Sequence, residues 1–318
     1  MNNAEVSCIL QQIATQKILV IGDLMLDRYI FGDASRISPE APVPVVDVDH
    51  ESDTLGAAAN VALNLRSLGV DVDLLGVVGD DRYGEQMKRL LREKEIHLIP
   101  CEQHVRTILK TRVIVRNQQL CRLDIEDDPQ LYSISPAILE KINWENYNAV
   151  IISDYAKGVV SQSLVDYVVN CKTIIAVDPK PKNNIIYRGV DLLKPNYAEA
   201  LEFAGIKTKK VTISYDALCA IVKEKQQPKN LVITLGKNGM VINGEDGQIT
   251  QIKSTAREVF DVSGAGDTSI AVLTAAYAKG VSLENAAKLA NCASGIVVGK
   301  IGTATATAEE ILRENRFE

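Results

Sequence analysis

The chain has 318 residues, of which 46% are hydrophobic and 24% are charged, and its formal net charge at pH 7 is −6. This length and composition are typical of a globular protein with a large buried core, and they exclude a disordered or collagen-like chain. The negative net charge argues against a general nucleic-acid binder, because phosphate backbones attract positively charged surfaces.

The sequence also argues against a membrane or secreted protein. Its longest apolar run, Ile270–Ala278, is far shorter than a membrane-spanning helix. Residues 1–16 lack the basic start and the apolar core of a secretory signal. The six cysteines and three histidines show no metal-type spacing, as is usual for reduced thiols. We therefore expect a cytoplasmic protein that binds neither membranes nor nucleic acid.

Short β-branched runs alternate with helical stretches along the chain. The predicted strands are Lys17–Gly22, Val72–Val78, Ala149–Ile152, Thr173–Val177 and Leu231–Thr234. The predicted helices are Ala57–Leu68, Tyr83–Lys94, Ser161–Asn170, Tyr197–Ala204, Gly264–Lys279 and Leu283–Gly299. This alternation predicts an α/β fold with a doubly wound, mainly parallel sheet, formed by residues 1–318 as a single domain.

Two segments depart from this alternation. Residues 27–51 contain strand-like residues around three prolines, and residues 106–125 form two predicted strands joined at Asn117-Gln118. Neither segment suits a crossover helix. We interpret them as a small antiparallel β lid inserted into the α/β domain.

The segment Asp261–Thr268, with the sequence DVSGAGDT, stands directly before a long apolar helix. Glycines at a helix start let backbone N–H groups point outward together, and with the helix dipole they form an anion site. Gly264, Ala265 and Gly266 would then stabilise charge on a transferred phosphoryl group. Asp267, in the first helical turn, could take the proton of an attacking hydroxyl. The alternative is a glycine-rich helix start whose aspartate only caps the helix.

A second motif, KPNYAE, covers residues 194–199 at a predicted strand-to-helix junction. Asn196 can cap the helix, and Glu199 three residues later completes a capping box. The functional interpretation places both side chains near a magnesium ion, through its water ligands, because Mg²⁺ keeps part of its hydration shell.

Further polar residues follow predicted strands, at the sheet edge where open α/β folds bind ligands. Asp27 follows the first strand, and the small residues from Gly56 to Asn60 open a helix that a ligand can approach closely. Asp154 and Lys157 follow a later strand, and Lys157 could hold a phosphate. The alternatives are a surface carboxylate, an ordinary alanine-rich helix and a solvated lysine.

Together these motifs resemble the ribokinase (PfkB) family of carbohydrate kinases over nearly the whole chain. The resemblance is carried by residues 22–29, 35–46, 56–60, 116–120, 153–158, 261–267 and 298–303. The segment Ser35–Val46, SRISPEAPVPVV, is long and specific, and it is most similar to family members that phosphorylate a heptose 7-phosphate. Many of these are fused to an adenylyltransferase; because this chain ends at Glu318, we expect a stand-alone kinase.

The resemblance implies a ribokinase-like fold and magnesium-dependent phosphoryl transfer from ATP to the anomeric hydroxyl of D-glycero-β-D-manno-heptose 7-phosphate. The product would feed ADP-heptose and lipopolysaccharide or other surface-glycan synthesis, where an adenylyltransferase acts downstream. The alternatives are another kinase of this type, for ribose or a fructose phosphate, or a non-catalytic sugar-binding protein. Retention of Asp267 beside the glycine loop argues against the last. Family members often use K⁺ near the loop at Asp261.

The resemblance also implies roles for individual residues. Asp267 would be the catalytic base, and Gly264, Ala265 and Gly266 the anion hole. The implied ATP-binding residues are Asn196, Glu199, Thr234, Gly236, Gly239 and Asn291, with Glu199 holding Mg²⁺ through water. The implied sugar-binding residues are Asp27, Gly56, Asn60 and Asp154. One departure is Ala57, where many members have a second glycine.

Basic residues are candidates for the phosphate at the far end of the sugar. Strand alternation puts Arg112 and Arg116 on one face, where they could converge on a phosphate, with Arg122 and Lys157 nearby. The alternative is that the two arginines only solvate the lid. The exposed lid edges, together with the resemblance, predict a homodimer in which two lids pair.

Overall fold

A mainly parallel β-sheet forms the centre of the molecule. The computed structural model describes residues 1–116, 118–206, 213–256, 259–300 and 302–314. The strands are β1 (Lys17–Gly22), β2 (Leu24–Ile37), β3 (Pro44–Ala57), β4 (Asp71–Leu75), β5 (Val78–Gly79), β6 (His97–Ile99), β7 (Glu102–Gln103), β8 (Leu109–Val115), β9 (Gln118–Ile125), β10 (Ala149–Ser153), β11 (Ile174–Asp178), β12 (Leu192–Leu193), β13 (Asn230–Thr234), β14 (Met240–Asn243) and β15 (Ile249–Ile252). The helices are α1 (Asn3–Ile13), α2 (Ala58–Ser67), α3 (Arg82–Glu93), α4 (Pro136–Leu139), α5 (Gln162–Val169), α6 (Tyr197–Ala204), α7 (Tyr215–Gln226), α8 (Ala265–Ala278), α9 (Leu283–Val297) and α10 (Ala308–Glu314).

The central sheet has the strand order β15–β14–β13–β12–β11–β10–β1–β4–β6. Strands from β13 to β6 run parallel, whereas β13, β14 and β15 pair antiparallel at one edge. Most of these strands are short and buried on both faces, as expected for a sheet covered by helices on both sides. The predicted α/β fold with a mainly parallel sheet is confirmed.

Two hydrophobic cores lie on the two faces of the central sheet. Strand β1 shows the division, because Ile18 and Val20 pack into one core while Leu19 and Ile21 pack into the other. The first core includes α1, α2, α8 and α9, and the second includes α5, α6 and α7. Helix α8 packs between α2 and α9 and against β10 and β11. Its first turn therefore lies beside the carboxyl ends of central strands.

A second sheet, which we call the lid sheet, has the order β3–β2–β8–β9. Its outer pairs are antiparallel, but β2 and β8 run parallel. The predicted lid is confirmed, whereas its fully antiparallel arrangement is wrong. The chain enters β8 after passing through α2, β4 and α3, and such a crossover permits parallel pairing where a tight turn does not.

Several element boundaries differ from the predictions. Strand β2 already begins at Leu24 and β3 continues to Ala57, so the lid sheet joins β1 and α2 almost without a linker. The predicted strand Val72–Val78 is interrupted after Leu75, and α1, α7, α10 and β12 were not predicted. Across the described ranges, no helix is both long enough and apolar enough to cross a bilayer.

Candidate active site

Asp267 lies in the first turn of α8, and both oxygens of its carboxylate accept hydrogen bonds. Tyr155 Oη donates to Oδ1 over 2.6 Å, and Asn60 Nδ2 donates to Oδ2 over 2.7 Å. Only 4% of Asp267 is exposed. Burial raises the pKa of this carboxyl, while the two hydrogen bonds and the charge of Lys194 act in the opposite direction. The site thus holds a desolvated carboxylate oriented by two donors, as a general base requires.

Tyr155 is held in place by the loop that follows β10. The buried carboxylate of Asp23, directly after β1, accepts backbone N–H bonds from three residues of this loop, Tyr155, Lys157 and Val159. Burial raises the pKa of Asp23, and the three hydrogen bonds lower it. Because β1 and β10 are neighbours in the sheet, one carboxylate fixes the loop that carries the tyrosine.

Gly264 is the N-cap of α8 and has φ +78°, a left-handed conformation that favours glycine. A side-chain carbon at this position would also lie only 2.8 Å from Asn60 Nδ2. Glycine is therefore required for two independent reasons. No side chain caps the helix here, and Gly264, Gly266 and Asp267 line one cavity, where an anion would meet the positive end of the helix dipole.

This cavity, of about 1190 Å³, extends from the start of α8 along the carboxyl ends of β10, β11 and β13. Two ion pairs stand in its wall: Lys194 Nζ lies 3.0 Å from Asp178 Oδ2, and Lys180 Nζ lies 2.7 Å from Glu199 Oε1. Burial raises the pKa of Asp178 to about 7, against the effect of the Lys194 charge. The cavity therefore offers both ammonium groups and carboxylates, a combination that suits a polyphosphate with its cation.

The KPNYAE motif forms the predicted capping box and also faces the cavity. Asn196 Oδ1 accepts a hydrogen bond from the Glu199 N–H over 3.0 Å, and Glu199 Oε2 accepts one from the Asn196 N–H over 2.9 Å. Both residues line the cavity, together with Thr234 and Gly236. The two interpretations of this motif are thus compatible, because the same side chains cap α6 and border the open space.

Three other predicted ligand-binding residues have different surroundings. Asn291 Nδ2 donates to a backbone carbonyl of the loop after β15, and Gly239 forms the turn before β14 with φ +87°. Asp154 lies at the cavity wall, but its carboxylate already accepts hydrogen bonds from Asn183, Tyr187 and a backbone N–H. Burial raises the pKa of Asp154 to about 6.

Two of the predicted sugar-binding residues, Asp27 and Gly56, meet where the lid sheet joins the central domain. A side-chain carbon at Gly56 would clash with the Asp27 carboxylate, so the glycine makes room for that group. Arg112 Nη1 donates to Asp27 Oδ1 over 2.5 Å. Thr54 and Thr303 are joined through their hydroxyls over 3.0 Å, which ties the lid to the loop after α9. The negative charge of Asp27 also contributes to the raised pKa of Asp267.

Ala57 has φ +53° and ψ −129°, a backbone conformation that favours glycine. The structure thereby explains why a second glycine suits this position. With alanine, the junction between β3 and α2 is held in a strained conformation.

The predicted convergence of Arg112 and Arg116 is wrong. Strand β8 keeps an unbroken register with β2, but it ends at Val115, one residue before Arg116, which has φ +49°. The alternation of side chains therefore does not extend to Arg116, whose exposed guanidinium pairs with the exposed Asp33. Lys157 lies in a different ion pair, with Glu126.

A different basic group lies on the lid face that carries Asp27. Strand register puts Lys110 beside Asp27, and Arg112 opposite Arg122, on this face. Lys110 and Arg122 both contact Asp124, so each of the three cations already has a carboxylate partner. We call this end of the lid sheet, with Asp27, Lys110 and Arg112, the lid root. It concentrates positive charges near the sugar-binding residues, and each of these charges is balanced by a carboxylate.

Sequence reasoning gave no role to Tyr155 or Lys194. Each occurs within two residues of the end of a buried strand, and that placement is the signal that could have identified them, since strand ends in this fold border the ligand site. Their contacts with Asp267 and Asp178 depend on the strand order, which is visible only in the folded structure.

Comparisons with known proteins identify the family of this chain. The model of the pfkB family of carbohydrate kinases matches residues 15–310. A D-beta-D-heptose 7-phosphate kinase of Bordetella bronchiseptica is 41% identical over 312 residues, which cover 96% of this chain and 98% of that protein. The bifunctional protein HldE of Hydrogenovibrio crunogenus is 41% identical over 301 residues, but these cover 93% of this chain and only 62% of HldE. The chain thus spans less than two thirds of such bifunctional relatives.

Solved structures show the same fold. A ribokinase from Thermotoga maritima superposes with a TM-score of 0.73 at 17% identity, covering 94% of this chain and 99% of the ribokinase. Phosphofructokinase-2 from Escherichia coli superposes with a TM-score of 0.75 at 16% identity, covering 94% of this chain and 97% of the phosphofructokinase. The chain belongs to the pfkB family of carbohydrate kinases, and it is a kinase with a ribokinase-like fold.

Two glycines at the two ends of α8 allow a matched test of the anion site. Gly264 and Gly280 have nearly the same left-handed φ, +78° and +79°, but only Gly264 has a neighbour, Asn60, within reach of an added methyl group. Each alanine variant should lose about 1–2 kcal/mol of unfolding free energy in urea, the cost of the left-handed conformation. Gly264→Ala should in addition lower kcat about 10²-fold or more, because Asn60 and the helix start are displaced. Equal kcat values for the two variants would contradict the assignment.

Proposed function

We propose that this kinase transfers the γ-phosphoryl group of ATP to the anomeric hydroxyl of D-glycero-β-D-manno-heptose 7-phosphate. The observation that carries the proposal is Asp267, a buried carboxylate held by Tyr155 and Asn60 at an uncapped helix start. The substrate is suggested by the relative from Bordetella bronchiseptica, which matches over nearly its full length.

In this proposal Asp267 accepts the proton of the anomeric hydroxyl as its oxygen attacks the γ-phosphorus. The bond from phosphorus to the bridging oxygen breaks, and ADP leaves. Burial raises the pKa of Asp267, and the hydrogen bonds donated by Tyr155 and Asn60 act in the opposite direction by favouring the ionised carboxylate. The N–H groups of Gly264, Ala265 and Gly266 stabilise the charge on the transferred phosphoryl group.

The polyphosphate of ATP occupies the cavity beside α6 and β13. Asn196, Glu199, Thr234 and Gly236 border that space, which supports their assignment to the nucleotide. Gly239 and Asn291 stay predictions from the family resemblance. In this scheme Lys194 places a positive charge near the phosphates, because its buried ammonium lies at the cavity wall.

The residues of this wall also fit a magnesium ion bound through water. Among the described residues, no three His, Cys, Asp or Glu side chains are grouped to hold a metal directly. Asp178 and Glu199 nevertheless present carboxylate oxygens to the cavity, and Mg²⁺ prefers oxygen ligands together with its own waters. We assign Glu199 to this role; the ion, when bound, neutralises charge on the ATP phosphates. A K⁺ site near Asp261 stays a prediction.

The acceptor lies between Asp267 and the lid root in this proposal. Asp27 and Asn60 hydrogen-bond sugar hydroxyls, and Gly56 allows close approach of the ring. The 7-phosphate reaches the basic group on the lid face, where Arg112 is the most buried arginine. The product, a heptose 1,7-bisphosphate, feeds ADP-heptose synthesis for lipopolysaccharide or another surface glycan in the cytoplasm, where a later adenylyltransferase step consumes its derivative.

The role of Asp267 is tested by Asp267→Asn, which keeps the shape of the side chain but removes the base. We expect turnover to fall about 10²- to 10⁴-fold, the usual contribution of a general base, while the ATP affinity stays nearly unchanged. Single-turnover kinetics with heptose 7-phosphate and calorimetry with a non-hydrolysable ATP analogue measure the two quantities. Near-normal transfer by the variant would remove Asp267 from this role.

The phosphate anchor is tested with Arg112→Met and, as a matched control, Arg116→Met, each assayed with heptose 7-phosphate and with unphosphorylated heptose. Wild type should strongly prefer the phosphorylated sugar. Loss of a charge-assisted contact of about 1.5–3 kcal/mol should lower that preference roughly 10- to 150-fold in Arg112→Met. Arg116→Met should behave like wild type, because the Arg116 side chain is 71% exposed and its guanidinium is bound to Asp33. If Arg112→Met weakens use of both sugars equally, the arginine only supports Asp27.

We further propose that the enzyme is a homodimer in which the lid sheets of two chains pair. Apolar side chains are exposed on the lid sheet, among them Ile37, Val48 and Leu123. Sedimentation at micromolar concentration should show a dimer, and Ile37→Lys/Val48→Lys should shift it to monomer. Leu131→Lys, at an exposed apolar residue outside the lid sheet, is the control and should remain dimeric. A monomeric wild type at that concentration would contradict the proposal.

A further inference from the structure

A chain of hydrogen bonds leads from Asp267 through the interface of α2 and α8. Asn60 Nδ2 donates to Asp267 Oδ2 over 2.7 Å. Asn64, one turn further along α2, donates from Nδ2 to the Asn60 backbone carbonyl over 2.8 Å and to Asn60 Oδ1 over 3.3 Å. Thr268 Oγ1 then donates to Asn64 Oδ1 over 2.7 Å. The chain thus begins and ends on adjacent residues of α8.

These four residues are almost completely shielded from solvent. Asn60 and Thr268 are 0% exposed, Asn64 is 1% exposed and Asp267 is 4% exposed. Buried amides of this kind are costly unless their donors and acceptors are satisfied, and replacing them with apolar side chains would be simpler. Neither Asn64 nor Thr268 contacts the cavity, so their polarity is not needed for direct ligand binding.

The partners of Asn64 determine which way both amides point. A backbone carbonyl only accepts, so the end of Asn64 that faces Asn60 must be its NH₂ group. The same NH₂ group then faces Asn60 Oδ1, which leaves the NH₂ group of Asn60 directed at Asp267. The hydroxyl of Thr268 lies 2.7 Å from the oxygen at the opposite end of Asn64, to which it donates, and 3.1 Å from the Gly264 carbonyl, a second acceptor. The orientation of Asn60 is therefore set by its neighbour and not by Asp267 alone.

We propose that Asn64 is a positioning residue, which orients the Asn60 amide so that Asn60 donates to the Asp267 carboxylate. The proposal rests on the proposed role of Asp267 as the base. With Asn60 in the opposite orientation, its oxygen would face the carboxylate, and the repulsion would displace the base from the acceptor hydroxyl or favour its protonated form.

The other polar groups around Asp267 have hydrogen-bond or ion-pair partners other than Asn64. Tyr155 donates to the other carboxylate oxygen, and Lys194 is paired with Asp178. Asp27, from the lid root, is paired with an arginine. These are the titratable and charged groups that act on Asp267 or lie beside its helix turn. None of them contacts Asn64, so a change at Asn64 reaches Asp267 through Asn60.

The experiment compares kcat and KM for two Asn64 variants with ATP and heptose 7-phosphate. In Asn64→Asp, the new carboxylate has no donor for Asn60 and should turn the Asn60 amide away from its present orientation. We expect kcat to fall about 10²-fold, with KM for ATP within about threefold of wild type. Asn64→Leu introduces no charge, and it should lower kcat about tenfold because Asn60 is free to rotate. If Asn64→Asp does not fold, the kcat of Asn64→Leu tests the proposal by itself.

A matched control is Thr274→Val on the same helix. Thr274 is fully buried like Thr268, but its hydroxyl has no hydrogen-bond partner among the described residues. Thr274→Val should have wild-type kcat, whereas Thr268→Val should lower kcat several-fold and Thr268→Ser should restore it. A purely structural role of Asn64 would instead raise KM or lower stability without this selective loss of turnover.

A double-mutant cycle shows whether Asn64 acts through Asn60. If it does, Asn60→Leu and Asn60→Leu/Asn64→Leu should have the same kcat, because the second change removes nothing further. Independent, multiplicative losses would overturn the proposal, and so would wild-type kcat in both Asn64 variants while Asp267→Asn is inactive. In that last case Asp267 would still be the base. An active Asp267→Asn would instead overturn the proposed base, and the role of Asn64 with it.

Discussion

The proposed phosphoryl transfer depends on one buried carboxylate, that of Asp267, being ionised. Asp267 is almost fully shielded from water, and burial alone drives its pKa upward. The fold opposes this with one donor from the loop after β10, one donor from α2 and the ammonium of Lys194. Each comes from a different part of the chain, so the strand order and the packing of α2 on α8 are both needed to surround Asp267 with these groups.

Buried carboxyls and ammonium groups also lie together in the wall of the cavity. Burial also raises the pKa of Asp154 and Asp178, to about 6 and about 7, while Lys180 and Lys194 are each held by a carboxylate. A wall with carboxylates would repel a naked polyphosphate. Its paired lysines and its oxygen ligands together favour a polyphosphate that arrives with a divalent cation, which is the form in which kinases use ATP.

Features that depend on neighbours in sequence were predictable, and features that depend on strand order were not. The helix start at Gly264 and the capping box of Asn196 and Glu199 are local, so their spacing was sufficient. The contact of Tyr155 with Asp267 joins residues 112 positions apart and requires β10 to lie beside α8. No periodicity in the sequence contains that information.

The pairing of the lid strands could not be predicted from the sequence either. Its strands were recognisable from alternation, but the parallel pairing of β2 with β8 follows from a long crossover. The end of β8 at Val115 and the left-handed backbone of Arg116 separated two arginines that alternation had placed on one face. A single irregularity is enough to reverse such a prediction, because side chains alternate with a period of two.

The junction at Ala57 affects how the lid can move. Strand β3 passes directly into α2 there, and α2 carries Asn60, so the lid and a donor to the base are parts of one continuous segment. Alanine has fewer accessible backbone conformations than glycine, and this makes the junction a stiffer hinge. In the proposed scheme, a movement of the lid about this junction would be transmitted to the first turn of α2, and it would thereby couple sugar binding to the alignment of Asp267.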